Sequence, residues 1–473
     1  MMRTTRFVPV ALFALSLVLG NGAGAQAPFD VAYSQESRAA IGAHNLCSGL
    51  WVVGRVYKRS PAEIVAQDIA PFAMFGWEPG FTYAVDSVKR TVTVRAGNTP
   101  PRTAKFNDDQ GCAIMPRGES ELHFKPVAVP RSLPDASTQR WPMGDLGADA
   151  TFPDVKADVI NAALDWGMAQ REHNTRAIVF VYRGKIVGER YAPGWTKDTP
   201  EISWSEGKSI TGALVGILVN QGLLKLDDPA PIKEWQQPGD PRARIRVRDL
   251  MHMSSGLDFT NLSLNGAATF RRENKHMRVY FDGLNVFQHS IDNPLKDPPN
   301  TKWRYQNSDP LTLGKIVRDK VEARGDNYLT FPQRALFDRI GIRSAVLETD
   351  AWGNFIMSGF DFLSARDWAR FGLLHLHDGM WEGQRILPEG WTKFVASPAP
   401  ADPSYGYGGM FWINRGRAWA GVPDDAYRAD GAMGQYTMII PSRDVVIVRM
   451  GPSPGNSSRY FAELSKRLLE SLP

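Results

Sequence analysis

The chain reads as an α+β protein, an antiparallel sheet flanked by helices, with a small β-rich domain ahead of it. Three observations predict this. Strand-like stretches at 176–184 and 185–192 stand early in the large domain, and two more, 436–440 and 445–450, stand near its end, joined through Pro441 to Asp444 as a hairpin. Helical periodicity brackets them, at 154–170 and in a terminal amphipathic stretch carrying Phe461, Leu464, Leu468 and Leu472. Helices at both ends against an antiparallel sheet form a layered α+β architecture.

Taken in order, residues 1–25 read as a signal peptide: Arg3 and Arg6 precede the apolar run 7–19, and Ala23-Gly24-Ala25 supplies the small-x-small cleavage pattern, with cleavage expected after Ala25. The run is too short to span a bilayer comfortably, and no cysteine follows it closely, so lipid attachment is not indicated. A periplasmic or secreted protein with no stable membrane insertion is expected. Residues 26–127 form the small β-rich domain, with strand-like pieces at 50–57 and 81–96. Cys47 and Cys112, the only cysteines, both fall there, and an even number in an oxidising compartment predicts one disulfide. A proline-rich and polar stretch, 125–147, marks a linker over 128–153. The large domain occupies 154–473.

That domain carries the chemistry. Ser205 is the only serine followed three residues later by lysine, Lys208, and residues so spaced share a helical face. A hydroxyl is inert as a nucleophile until a base takes its proton, so the pair is a candidate nucleophile and base. The apolar helix that follows, with Ile210, Leu214, Ile217 and Leu218 at helical spacing, offers free amides and a positive dipole end to charge developing at the serine. Gly212 and Gly216 thin it where a neighbour approaches. Glu206 reads only as a helix-start acid acting through its charge. Downstream, Tyr305-Gln306-Asn307 is the only Tyr-x-Asn: a tyrosine beside a cationic lysine can carry a proton, and asparagine can hold an amine and a carbonyl.

Together these residues resemble the serine β-lactamase and penicillin-binding-protein superfamily, whose motifs are Ser-x-x-Lys, Tyr-x-Asn in the class C branch, and a third on a strand. Residues 246–259 are similar to the family's helix and Ser-Gly-Leu turn, 226–229 to its post-helix loop, and 364–379 to its late helix. The resemblance spans about 155–473 and implies the β-lactamase/transpeptidase-like fold, with class C-like esterases and 6-aminohexanoate-dimer hydrolases nearest in appearance. It implies catalytic roles for Ser205, Lys208 and Tyr305, and a positioning role for Asn307. At the third motif, where antibiotic-directed members carry Lys-Thr-Gly, this chain has Ala432-Met433-Gly434, then Gln435. The missing cation argues against β-lactams, because that lysine grips the substrate carboxylate. A Gln435 amide, with that of Ser205, is the expected oxyanion hole. Which of Lys208 and Tyr305 acts as base stays open, since their titrations are coupled.

The expected activity is cleavage of a small-molecule carboxylic ester or linear amide through a Ser205 acyl-enzyme. The alternatives are a D-amino-acid peptidase or β-lactamase on cell-wall-like amides, or a catalytically silent binding protein of the same fold. Trp204, Trp303, Tyr407 and Trp412 are candidates to shape an acyl pocket. The chain has 473 residues, 43% apolar and 22% charged, which suits a globular enzyme. Its net charge of +5, or +3 without Arg3 and Arg6, gives no reason to expect nucleic acid. Lys233, Arg242, Arg244, Arg246 and Arg248 read as a solvated face. No Gly-x-Ser-x-Gly elbow or phosphate-binding loop is present, and the eight histidines, among them His252, His375 and His377, show no His-Glu-x-x-His pattern. No cofactor or metal is expected.

Overall fold

The computed structural model describes residues 30–72, 76, 80–262, 266–455 and 457–473. The expected signal peptide lies outside them. Among the described residues no helix is long and apolar enough to cross a membrane.

Helix α1 (Val31–Trp51) begins at Asp30, whose side chain accepts the Tyr33 amide at 2.9 Å. It packs on an antiparallel sheet of β1 (Phe81–Asp86), β2 (Thr91–Ala96), β3 (Arg102–Phe106) and β4 (Cys112–Ile114), in that spatial order. Val92, Val94, Ala96 and Ala104 meet α1 in the core. Cys47 on α1 and Cys112 on β4 are bonded. The stretch 50–57, expected as a strand, instead ends α1 and continues in a 3₁₀ turn, Val53–Arg55. Its alternating pattern misled, because Leu46, Leu50 and Val53 also recur at helical spacing and face the core that way.

The large domain runs through α2 (Ala157–Ala169), β5 (Ala177–Tyr182), β6 (Lys185–Tyr191), β7 (Glu201–Ile202), α3 (Gly207–Asn220), α4 (Ser308–Glu322), β8 (Val346–Leu347) and β9 (Asp361–Leu363). It closes with α5 (Ala365–Leu376), β10 (Trp412–Ile413), β11 (Tyr427–Gly431), β12 (Gln435–Ile440), β13 (Val445–Met450) and α6 (Ser458–Leu469). Its six-stranded antiparallel sheet has the order β10-β11-β12-β13-β5-β6, so the first hairpin and the last interlock at the β13–β5 pairing. Period-two alternation divides the side chains between two cores. Val179, Val181, Val446 and Val448 face α5, and Ile178, Phe180, Val445 and Ile447 face α2 and α6. Each such buried side chain contributes about 1.5–3 kcal/mol.

Helix α3 is buried on all sides from Gly207 to Leu218, packed against α4, and Gly216 admits the Trp391 ring, which a Cβ would meet at 2.8 Å. A short sheet, β7-β9-β8, lies beside the start of α3. The N-terminal segment is keyed into this region by two buried carboxylates. Tyr33 donates to Asp282, at 2.9 Å to one oxygen. Glu348 lies 2.8 Å from His44 Nε2 and accepts from Ser48 Oγ and the Cys112 amide. The His44 ring stacks on Phe360 at 3.8 Å, just before β9.

Candidate active site

Ser205 sits on a 3₁₀ turn, Trp204–Glu206, that feeds directly into α3. Trp204 has a left-handed backbone (φ 49°), a conformation that bulky residues adopt at a cost, and it is held there by its ring against Tyr280 and Phe360. One turn on, Lys208 Nζ hydrogen-bonds Ser205 Oγ at 2.8 Å and the Ser358 carbonyl at 3.0 Å. Lys208 is 1% exposed. Burial pulls its amine down to about 7, against a smaller upward pull from Asp361. The Asp361 carboxyl lies under Gly207, where a Cβ would come within 1.7 Å of Oδ2. Burial pushes Asp361 above the usual carboxylate range, against a downward pull from Lys208.

Tyr305 lies at the same serine: the Ser205 side chain exerts a downward pull on its phenol, and Lys208 Nζ lies 4.9 Å from its ring centroid. Burial raises the phenol well above its ordinary value, so it keeps its proton. Of the four candidate pocket aromatics, Trp412 and Tyr407 pack on Tyr305 at 5.3 and 6.0 Å, and Trp303 joins them. Trp204 turns the other way. Asn307 is one shell removed from the lysine: its amide nitrogen donates to the His276 carbonyl at 2.8 Å and to the Tyr280 hydroxyl at 2.9 Å. Tyr280 in turn donates to the Ser358 carbonyl at 2.6 Å, the oxygen that also accepts from Lys208. Asn307 is thus linked to Lys208 through Tyr280 and Ser358.

The third motif differs from the expectation. Ala432–Gly434 is a turn, with Met433 left-handed (φ 63°), and the strand beside the serine is the preceding one, β11. Gly431, at its end, approaches so closely that a Cβ would lie 2.0 Å from the Ser203 carbonyl. Gly434 and Gln435 are tied to the segment after β13. The Gly434 carbonyl accepts from Arg449 at 2.7 Å, and the Gln435 side chain pairs with Gly451, accepting its amide at 2.9 Å. Strand β11 does carry a cation, Arg428, but it is stacked among Trp419, Tyr436 and Phe461 and neutralised by Asp430 at 2.6 Å. Glu206 also departs from a solvated helix-start acid: it is buried, accepts from Thr437 at 2.8 Å, and burial raises its carboxyl well above the usual range. Ser358, Tyr280 and Asp361 escaped sequence reasoning, having no spacing relation to Ser205. His252 and His375 are buried and pulled down to about 4, as core histidines. Among the described residues no cluster of three or more His, Cys, Asp or Glu is arranged to hold a metal.

The family model for Beta-lactamase matches residues 160–464. The chain belongs to the Beta-lactamase family. Among the relatives of this Beta-lactamase family chain, the 6-aminohexanoate-dimer hydrolase of Paenarthrobacter ureafaciens is 23% identical over 363 residues, 72% of this chain and 91% of that one. A 6-aminohexanoate-dimer hydrolase candidate from Bacillus anthracis superposes with a TM-score of 0.55 at 22% identity, covering 69% of this chain and 88% of its own. A β-lactamase candidate from Bacteroides dorei superposes with a TM-score of 0.53 at 18% identity, covering 67% and 99%. These likenesses establish the fold, a β-lactamase/transpeptidase-like one shared by esterases and amidases.

Proposed function

We propose that this protein is an exported serine hydrolase that cleaves a carboxylic ester or linear amide through an acyl-enzyme on Ser205. The observation that carries the reading is the buried Lys208 amine, brought near 7 and 2.8 Å from Ser205 Oγ. Ser205 Oγ attacks the carbonyl carbon as its proton passes to Lys208 Nζ, which makes Lys208 the base. The oxyanion is held by the Ser205 amide and, in place of the expected Gln435 amide, by that of Ala432, which follows Gly431 at the end of the strand that meets Ser203. Tyr305 gives its proton to the leaving oxygen or nitrogen and is resupplied from Lys208. Water then enters, loses a proton to the same pair and releases the acid. Tyr280 and Asn307 act as positioning residues, fixing the Ser358 carbonyl against which Lys208 is aimed.

Trp303, Tyr407 and Trp412 supply an apolar wall for the acyl or leaving group. Lack of a free cation on β11 supports uncharged or linear substrates over β-lactams, and the Cys47–Cys112 bond supports an oxidising compartment. The test is intact-mass analysis after fluorophosphonate treatment of wild type and Ser205→Ala, alongside p-nitrophenyl esters, a linear 6-aminohexanoate dimer and a chromogenic cephalosporin. One label, lost with Ser205→Ala, plus ester or amide turnover is the expected result. Dominant cephalosporin turnover would move the assignment to a β-lactamase, and folded protein with neither label nor turnover would leave a binding protein.

A further inference from the structure

A second cavity lies where the end of α1, the 131–145 linker and the large domain meet, and no residue of the serine site lines it. Its volume is about 270 Å³, and a wider vestibule of about 410 Å³ shares Arg131, Lys197 and Arg343 with it. Six cationic side chains line the cavity, Arg55, Arg131, Lys197, Arg343, Arg366 and Arg370, against three carboxylates, Asp145, Asp198 and Asp367. The carboxylates are already committed. Asp145 takes Lys197 and Arg370, both at 2.8 Å, and Arg366 at 3.3 Å. Asp198 takes Lys197 at 2.9 Å, and Asp367 takes Arg370 at 2.8 Å together with the Ser344 amide.

Three arginines are left without a close counter-ion. Arg55 and Arg131 share one carboxylate, Asp109, at 3.7 and 3.8 Å, too long for a hydrogen bond. Arg343 donates to the carbonyls of Pro134, Met143 and Gly341 and to the Gln139 side chain, while the carboxylates that act on its charge, Asp367, Asp145 and Asp135, form no direct ion pair with it among the described residues. Burial first, with smaller contributions from the cations Arg131 and Arg370, pulls Arg55 and Arg343 below the usual arginine range, against opposing pulls from Asp109 and Asp367. The rest of the wall is apolar: Val52, Val56, Pro200 and Val346.

We propose that this cavity is a binding site for a small oxyanion, a carboxylate or phosphate group carried on a short apolar body. The anion is held by the N–H groups of Arg55 and Arg131 that remain beside their bonds to the Asp108, Arg343 and Ala345 carbonyls, Arg343 adds its charge rather than its donors, and the apolar body lies against the valines. A volume just under the ~300–1,000 Å³ usual for ligand pockets limits the ligand to a small molecule. Its seat joins three chain segments, so occupancy stabilises the folded protein by mass action.

The full-length protein is titrated by calorimetry and thermal shift with hexanoate, adipate and inorganic phosphate, at ionic strength fixed with sodium chloride. Saturable one-to-one binding is expected, at least tenfold weaker in the Arg55→Gln/Arg131→Gln double variant and unchanged in Arg183→Gln, a remote exposed arginine. Saturation by hexanoate or adipate assigns a carboxylate, and by phosphate alone a phosphate ligand. Hydrogen exchange on the saturated wild type, which needs no variant to fold, is expected to protect 131–145 and 343–346. No saturable heat with any of the three, a shift that chloride reproduces, binding that survives the double variant, or protection confined to other segments would overturn the site.

Discussion

Lys208 shows how one residue trades stability for chemistry. An ordinary lysine titrates near 10.5, and this one near 7, because burial disfavours its charged form. For the free enzyme, kcat/KM for an ester is therefore expected to fall below about pH 7 with a slope of one and to stay level above it, since Tyr305 is raised and adds no nearby alkaline limb. A pH profile with no break between 6 and 8 would remove Lys208 as the base. The same shift fixes the sign of a stability effect. Between about 7 and 10.5 the unfolded chain binds the proton that the folded chain has lost, so wild-type stability rises with pH across that window, and below 7 the cost is present in full. Lys208→Met is expected to abolish turnover while raising stability at pH 7 by roughly 2–4 kcal/mol, with the gain shrinking towards pH 10, as read from urea melts at several pH values. Ser205 and Lys208 were legible because a three-residue spacing on a helix fixes their proximity. Ser358, Tyr280 and Asp361 were not, because loops from distant parts of the chain deliver them and no local pattern encodes that arrival.

At the scale of elements, the junction of the nucleophile turn with α3 depends on what Gly207 lacks. A methyl group there would come within 1.7 Å of Asp361 Oδ2, so one of the two segments must move. Gly207→Ala is expected to cost at least about 2 kcal/mol and to lower kcat more than it raises KM, because displacement of β9 also moves the Ser358 carbonyl that aims Lys208. Chemical denaturation and ester kinetics on the same variant check both parts. The strands β5, β6, β12 and β13 and the helices α2, α3 and α6 could be read from the residue pattern, since each buries a continuous face, whereas α5 was legible only through the family resemblance. The 50–57 stretch could not, because its apolar residues fit both periods. Residues 432–434, expected as the third motif, form a turn, and the close approach of Gly431 to Ser203 sets β11 beside the serine turn. The basic run 242–248 holds compact ion pairs, such as Arg242 to Asp240 and Arg246 to Asp249, that its composition alone does not reveal.

For the molecule as a whole, the N-terminal segment packs as a structural part of the large domain. The Cys47–Cys112 bond closes a span of 65 residues, worth about 4 kcal/mol if its effect is on the unfolded chain. Cys47 is one helical turn from His44, which stacks on Phe360, and Phe360 lies between Ser358 and Asp361. Reduction is therefore expected to lower the melting temperature and to remove activity along the same temperature curve, as read by calorimetry and ester turnover with and without dithiothreitol. Loss of the first without the second would separate the two halves. The Glu348 carboxylate carries the junction further, since it sits wholly inside the protein with all its partners, His44, Ser48 and the Cys112 amide, on the other side. For anyone wishing to graft a different catalytic half onto this leader, or to express residues 154–473 alone, the exchange leaves a naked carboxylate and a bare phenylalanine face where a helix used to lie. Swaps at this boundary will succeed only as matched sets, with Glu348 and Phe360 replaced by residues that a relative without the leader can leave facing water.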